Sequence, residues 1–561
     1  MKSNLILKNN FMKEIKAAIG KFFKGELLDD VSTLTKYSHD ASLLEVKPQL
    51  VAFPKNVADI SNLITFVNEH KKENPTLSIT ARSAGTDMSG GPLNDSIIID
   101  FTKYLQGDIT INATSQTATV LPGTFYRDFE VETLKHNLFL PCYPASKNLC
   151  AIGGMVANNA AGEKTLVYGK MEDYVLELKV VFSNGKEYMV KPLSRDELNA
   201  KMAQNDFEGE LYQKLYNLIE ANYEKIKAAK PKVKKNSAGL YLWNVWDRDT
   251  GIFDLTKLIV GSQGTLGMVT EVKLKLVPVK KYSKLFVIFL PDLDRVSELV
   301  NELLKFKPES LESYDDHTLK MALKFLPGIW KSMNTKHFFK FIWSFLPEMG
   351  MVLRGGLPRF VILAEFAGDS LVEIDRIIKD AEAHIKRFNF STRITASPEE
   401  SAKYWTIRRE SFNLLRQHVH NTRTAPFIDD IIVDPSYLPE FWPKLMKLLD
   451  GYKLVYTVAG HAGSGNFHII PLMDMRKEEN HRIIIELSEK VYDLVLEYGG
   501  SITAEHNDGI IRTPYLPKMF GEEIYGLFKE TNKIFDPQDI FNPGKKGSEG
   551  IEYLKRHLTY S

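Results

Sequence analysis

Apolar and polar positions alternate in short runs through the first half of the chain, and glycine, proline or asparagine bounds most of them. Leu77 to Asp100 reads as strand, glycine-rich loop, strand (LSIT, ARSAGTDMSGGPLN, SIIID). Before it, Pro54 to Val67 reads as a strand followed by a helix that opens around Asp59. Val120-Leu-Pro-Gly123 ends a further strand, and Phe129 to Leu138 has apolar residues at helical spacing. Leu176 to Phe182 reads as strand and Asn184-Gly185 as a hairpin-type turn. The run Lys257 to Val279 reads as strand-like and closes this section. Beyond it the pattern shifts to Leu285–Leu290, a helix over Ser297 to Phe306, and an aromatic-basic stretch over 320–350.

These patterns divide the chain into a helical lead-in (1–45), a first α+β domain (46–280), a second α+β domain (281–498) and a tail (499–561). A length of 561 residues is too great for one hydrophobic core, which agrees with several domains. The net charge of +1 gives no reason to expect a nucleic-acid partner. Two cysteines, Cys142 and Cys150, exclude a disulfide scaffold and an iron–sulfur cluster held by cysteines of this chain alone. The N-terminal residues hold no signal-peptide core and no run of about 18 apolar residues occurs, so a cytoplasmic protein is expected. Trp330, Lys331, Lys336, Phe338, Phe339, Lys340, Phe341, Trp343 and Phe345 mix rings with lysines. They fit a helix packed on the second domain, or a peripheral contact with the inner face of a membrane. Lys225 to Lys235 reads as a solvated, lysine-rich face.

Three segments of glycine and small residues lie between strands of the first domain. They are Arg82-Ser-Ala-Gly-Thr-Asp-Met-Ser-Gly-Gly91, Ile152 to Gly162, and Gly261-Ser-Gln-Gly-Thr-Leu-Gly267. Backbone N–H groups in such loops form concave nests for a diphosphate. Neither the Rossmann fingerprint nor a P-loop is present. In the second half, Gly460-His-Ala-Gly-Ser-Gly-Asn-Phe-His468 and Ala504-Glu-His-Asn-Asp-Gly509 supply His461, His468, Glu505 and His506. Two imidazoles and a carboxylate make a ligand set for zinc, iron or manganese.

The order of these loops, with Leu121-Pro-Gly123 between the first two, resembles the FAD-binding PCMH-type domain of the vanillyl-alcohol-oxidase superfamily. The nearer resemblance is to its D-lactate, glycolate and D-2-hydroxyglutarate dehydrogenase branch, from about residue 45 to the C-terminus. It implies an α+β fold: a two-subdomain FAD domain, a cap domain with an antiparallel sheet, and a tail returning to the flavin. It implies FAD contacts from Arg82, Ser83, Ala84, Gly85, Thr86, Asp87, Ser89, Gly153, Gly154, Asn159, Gly162, Gly264, Thr265, Gly267, Val269 and Asn542. Members that bond FAD covalently through the first loop carry histidine where this chain has Thr86, so non-covalent FAD is expected. Gln263 replaces the usual glutamate and keeps its hydrogen-bonding length.

The resemblance also implies that His461, His468 and Glu505 hold a divalent metal, most simply zinc, with iron or manganese as the other choices. His506 becomes the base for the substrate hydroxyl, and Arg408, with Arg409 as the fallback, the fork for its carboxylate. Hydride would pass to flavin N5, and electrons onward to a quinone or an electron-transfer protein. Relatives that take D-2-hydroxyglutarate place asparagine and lysine where this chain has Ile470 and Ile428. A small, D-lactate-like D-2-hydroxy acid is therefore expected. Other readings are a D-2-hydroxyglutarate dehydrogenase, a flavoprotein subunit of an iron–sulfur assembly, and a metal-dependent hydrolase. The hydrolase leaves the three glycine loops unexplained.

Overall fold

The computed structural model describes residues 12–316, 318–320, 356–418, 422–547 and 550–559. The aromatic-basic stretch from Trp330 to Phe345 lies outside the described residues.

The first sheet has strands β1 (Glu26–Leu28), β2 (Leu50–Phe53), β3 (Ile79–Arg82) and β4 (Ile97–Asp100) in the order β1-β2-β4-β3. β2, β4 and β3 run parallel, and β1 adds antiparallel to β2. Residues 12–19 are helical, but Glu26–Leu28 is a strand, so the lead-in is not helical throughout; its edge pairing with β2 overrides the helical spacing. Helix α1 (Val57–His70) buries Ile60, Leu63, Ile64 and Val67 on this sheet, each worth about 1.5–3 kcal/mol. Asn56 caps α1 by accepting from Asp59 N–H. The buried Asp59 carboxylate in turn accepts from Lys24 and Lys55 N–H.

The second sheet is antiparallel, with strands β5 (Thr110–Asn112), β6 (Thr117–Val120), β7 (Val175–Val181), β8 (Glu187–Val190) and β9 (Met268–Lys275) in the order β5-β6-β9-β7-β8. The run expected to be strand from Lys257 onward starts instead with one helical turn, Thr256–Ile259. Asp254 Oδ1 accepts from both Thr256 N–H and its hydroxyl, and this nucleates the turn.

The cap domain holds an eight-stranded antiparallel sheet: β10 (Tyr282–Leu290), β11 (Ser310–Asp315), β12 (Phe360–Gly368), β13 (Ser391–Ile394), β14 (Arg423–Thr424), β15 (Ile431–Ile432), β16 (Val455–His461) and β17 (Asn466–Met473). Its path is β13-β10-β12-β11-β16-β17-β14, and β15 pairs with β17. The hairpin β16–β17 presents both histidines of the glycine-spaced motif, with His461 opposite Asn466 and His468 opposite Ala459. Gly465 turns it at φ 73°, and a β-carbon there would meet Val433 O at 1.9 Å.

The tail returns to the first sheet. Ile79 N–H donates to Ile540 O at 2.8 Å, and Asn542 N–H donates to Ile79 O at 2.9 Å. It is anchored by one fully buried ion pair: Lys546 Nζ donates to Asp508 Oδ2 at 2.7 Å and to Gly239 O at 2.8 Å. Both residues belong to the tail; Gly239, which accepts from Lys546 Nζ and donates its N–H to Asp508 Oδ2 at 2.9 Å, joins the pair and the Glu505–Gly509 motif to the first domain. Lys546→Met strands a buried carboxylate and is expected to cost about 3–5 kcal/mol in chemical unfolding, most of it recovered in the Lys546→Met/Asp508→Asn double variant.

Candidate active site

A cleft opens in the first domain between the three glycine loops. Arg82, Ser83, Ala84, Gly85, Thr86, Asp87, Gly153, Gly154, Gly264, Gly267 and Val269 line it. Ser89, Asn159, Gly162, Thr265 and Asn542 lie behind the lining and brace it. Asn542 Nδ2 donates to Gly91 O at 2.9 Å and Gln263 O at 2.6 Å, tying two loops together. Ser89 N–H and hydroxyl both donate to Asp87 Oδ2. Asn159 closes helix α2 (Ile152–Asn158) at φ 50° and binds Glu172. Gly162 packs directly on Tyr143 O, and the Thr265 hydroxyl donates to Ser262 O. Asn158 was not singled out from sequence, yet it lines the cleft and donates to Asp87 Oδ1 at 2.6 Å.

The cleft fits a dinucleotide on two observations. Among the described residues, no protein acceptor takes the backbone N–H groups of Ser83 to Thr86, so the loop presents donors to the cleft. At Gly154 a β-carbon would meet only Ser83 Cβ, at 3.6 Å, so the protein leaves the backbone there open to a ligand in the cleft.

The second constellation joins the cap hairpin to the tail. Asp429 and Asp430 organise it, both fully buried. Asp430, at φ 71°, turns its Oδ2 to four donors: Thr503 Oγ1 (2.6 Å) and the N–H groups of Ala504 (2.9 Å), Glu505 (2.8 Å) and His506 (2.7 Å). Its Oδ1 accepts from Asn466 Nδ2 at 3.1 Å. Asp429 holds the rings: His468 Nδ1 lies 2.9 Å from Oδ1, and His506 Nδ1 makes a charge contact at 2.8 Å with Oδ2. The two imidazoles stack with centroids 5.0 Å apart. Both keep Nδ1 on the carboxylate and Nε2 away from it.

His461 is oriented in the same way by a different acid. Its Nδ1 lies 2.7 Å from Glu312 Oε1 and its Nε2 lies 3.1 Å from Glu505 Oε1. Glu312 Oε2 pairs with Arg408 Nη2 at 2.5 Å, so one buried carboxylate links a histidine to an arginine. Arg409 turns elsewhere and pairs with Glu163, whose carboxyl is buried, yet the guanidinium holds it down at about 2. Lys235, expected on a solvated face, is buried, and its Nζ donates to Glu505 Oε1. The cause is backbone pairing: Ser237 N–H donates to Thr503 O and carries this segment into the site.

Ligand atoms of Asp430, His468, Glu505 and His506 lie within 4.8 Å of one another. Asp430 is the least available of them, since five donors already take its oxygens. His468, Glu505 and His506 are the members of that group singled out from sequence; His461, expected with them, is not in it and meets it through Glu505 Oε1. The constellation abuts the cleft. Asn507 Nδ2 donates to Asn158 O at 3.3 Å and Gly261 O at 2.9 Å, and Gly509 N–H donates to Gln263 Oε1 at 2.8 Å. Gln263 also donates through Nε2 to Asn158 Oδ1 at 3.2 Å, a donor that a glutamate lacks.

Burial is the largest single influence and disfavours the His506 imidazolium, but the carboxylates of Asp429, Asp430 and Glu505 together outweigh it and raise the pKa to about 9. His506 is thus held protonated at neutral pH in the metal-free protein, and removing the Asp429 carboxylate lowers its pKa. Asp429→Asn is expected to move the His506 titration down by roughly one to two units, read from the imidazole proton shifts of the metal-free protein.

Two domains of one flavoprotein class are now in place. Residues 48–190 match the FAD binding domain family, and residues 279–546 match the C-terminal domain of FAD linked oxidases. The chain thus carries the FAD binding domain and the C-terminal domain of FAD linked oxidases. It is 28% identical to a D-2-hydroxyglutarate dehydrogenase of Pseudomonas putida over 96% of this chain and 52% of that protein. It is 27% identical to the glycolate oxidase subunit GlcD of Bacillus subtilis over 91% of each chain. A mitochondrial D-lactate dehydrogenase [cytochrome] of Arabidopsis thaliana is 25% identical over 89% of this chain and 73% of its own. The chain spans about half the length of the D-2-hydroxyglutarate dehydrogenases it matches. The fold is shared with 4-ethylphenol oxidase from Gulosibacter chungangensis (TM-score 0.67, 14% identity, 97% of each chain). It is also shared with p-cresol methylhydroxylase (TM-score 0.65, 16% identity, 93% of this chain and 94% of the other).

Proposed function

We propose that the protein oxidises a small D-2-hydroxy acid, D-lactate-like, to the 2-oxo acid with non-covalent FAD and a divalent metal, most simply zinc. The observation that carries this is the Asp429 clamp. One buried carboxylate aligns His468 and His506 side by side, with Glu505 next in the chain and the glycine-lined cleft adjoining.

When bound, the flavin supplies a two-electron acceptor and the metal a Lewis acid. His461, His468 and Glu505 would hold the metal. His506 would act in its neutral form, which a neighbouring divalent cation favours, and would take the hydroxyl proton on Nε2 with Nδ1 beside Asp429. Glu312 anchors Arg408 beside His461, which makes Arg408 the proposed cation for the substrate carboxylate. A quinone or an electron-transfer protein is the proposed final acceptor, and a peripheral membrane contact through the Trp330–Phe345 stretch is part of the same reading. No helix among the described residues is long and apolar enough to cross a membrane.

Ile470 supports a short or apolar substrate tail. It lies two residues after His468 on β17 and so shares its face of the sheet. Ile428 is fully buried in the main core and offers no charge to a distal carboxylate. The relatives that are D-2-hydroxyglutarate dehydrogenases favour the second reading, a substrate with two carboxylates. Steady-state turnover separates the two: kcat/KM for D-lactate is expected to exceed that for D-2-hydroxyglutarate, and the reverse order selects the second reading. His506→Ala is expected to lower kcat by about 10²–10⁴-fold with flavin content unchanged. Ile470→Asn is expected to raise kcat/KM for D-2-hydroxyglutarate relative to D-lactate by about tenfold.

A further inference from the structure

The site holds a cation that the reaction above does not use. Lys235 Nζ donates to Glu505 Oε1, the same oxygen that lies 3.1 Å from His461 Nε2. The two side chains are 1% and 8% exposed, so solvent does little to screen the pair.

The placement is built into the fold. Ser237 N–H donates to Thr503 O at 2.9 Å, and the Ser237 hydroxyl donates to Ala504 O at 2.9 Å. A second buried lysine clamps both strands of this contact: Lys170 Nζ donates to Asn236 O, to Ser237 Oγ at 2.7 Å and to Ala504 O at 2.8 Å. Residues 235–237 are therefore stitched to 503–505, and the Lys235 ammonium is aimed at Glu505 by the backbone on both sides.

We propose that Lys235 is a resident cation that competes with divalent metal for Glu505 Oε1 and so sets the affinity of the site for metal. This rests on the reading of His461, His468 and Glu505 as the metal ligands. A buried carboxylate beside two histidines needs a positive partner. In the metal-free protein the ammonium supplies it and keeps the ligand set assembled. The oxygen nearest His461 Nε2 is the one the ammonium occupies, and a divalent ion shared between His461 and Glu505 is repelled by that ammonium, so Lys235 turns from Glu505 when the metal binds. The site then exchanges metal readily instead of locking it in.

The test is a metal titration of flavin-loaded protein stripped with a chelator. Zn²⁺ and Mn²⁺ are each titrated in competition with a chromophoric chelator, and bound metal is counted by atomic emission. Lys235→Met is expected to bind metal at least about tenfold more tightly than the unaltered protein, and Lys235→Arg, which keeps the charge, is expected to match it. Lys235→Gln, which keeps a donor of similar length without charge, follows Lys235→Met and replaces it if that variant does not fold; flavin absorbance reports folding. Equal or weaker affinity in the uncharged variants, with metal bound by the unaltered protein, overturns the proposal and leaves the metal reading standing. Metal bound only by the uncharged variants supports the proposal in its strongest form. No stoichiometric metal in any form overturns both.

Discussion

Two consecutive buried carboxylates, Asp429 and Asp430, carry the arrangement on which the rest of the site depends. Asp430 collects three successive backbone N–H groups and the Thr503 hydroxyl, which fixes the 503–506 loop against the cap sheet. Asp429 meanwhile holds one ring from the cap hairpin and one from the tail. The first acid sets the backbone that bears Glu505 and His506, and the second sets the ring orientation that puts Nε2 to use. Such charges are tolerated in the interior because every oxygen of Asp430 is claimed by donors and Asp429 faces two imidazoles. Arg512 completes the shell by donating to Asp429 O and to Asn507 O at 3.1 Å.

The same logic connects the three parts of the chain. The cleft is built on the first domain, His461 and His468 on the cap hairpin, and Glu505 and His506 on the tail. Asn542 and Gln263 bind the tail to the loops that line the cleft. No single domain holds the full set of groups, so the relative placement of the domains is itself a functional quantity. Buried polar contacts hold that placement: the tail pair Asp508–Lys546 grips Gly239 of the first domain through both of its members, and Lys164 pairs with Glu309 and Glu365 between first domain and cap.

Much of this was legible in the sequence. The glycine loops mark the cleft because backbone that must approach a ligand tolerates little else. The histidine and Glu-His motifs mark the second constellation because few other roles concentrate those side chains. What stayed hidden depended on long-range pairing. Glu312 sits within a strand, and nothing local tells that its carboxylate bridges His461 and Arg408. Asp429-Asp430 did leave a signal, two acids inside the apolar run Phe427 to Val433, since buried charges demand partners. Lys235 left none: its lysine-rich context suggests solvent, and only the pairing of Ser237 with Thr503 brings it inside. The same limit applies at Glu26–Leu28, where a partner strand decided the conformation, whereas the turn at Thr256–Ile259 did leave a local signal in Asp254, two residues before Thr256.

The most direct measurement is anaerobic absorbance of the purified, flavin-loaded protein across the flavin bands, with D-lactate and L-lactate added in turn, before and after treatment with a chelator. The account predicts bleaching by the D-isomer alone, lost on chelation and restored by Zn²⁺ or Mn²⁺. A bound flavin that the L-isomer bleaches as fast, or that the D-isomer still bleaches at full rate without metal, would contradict it.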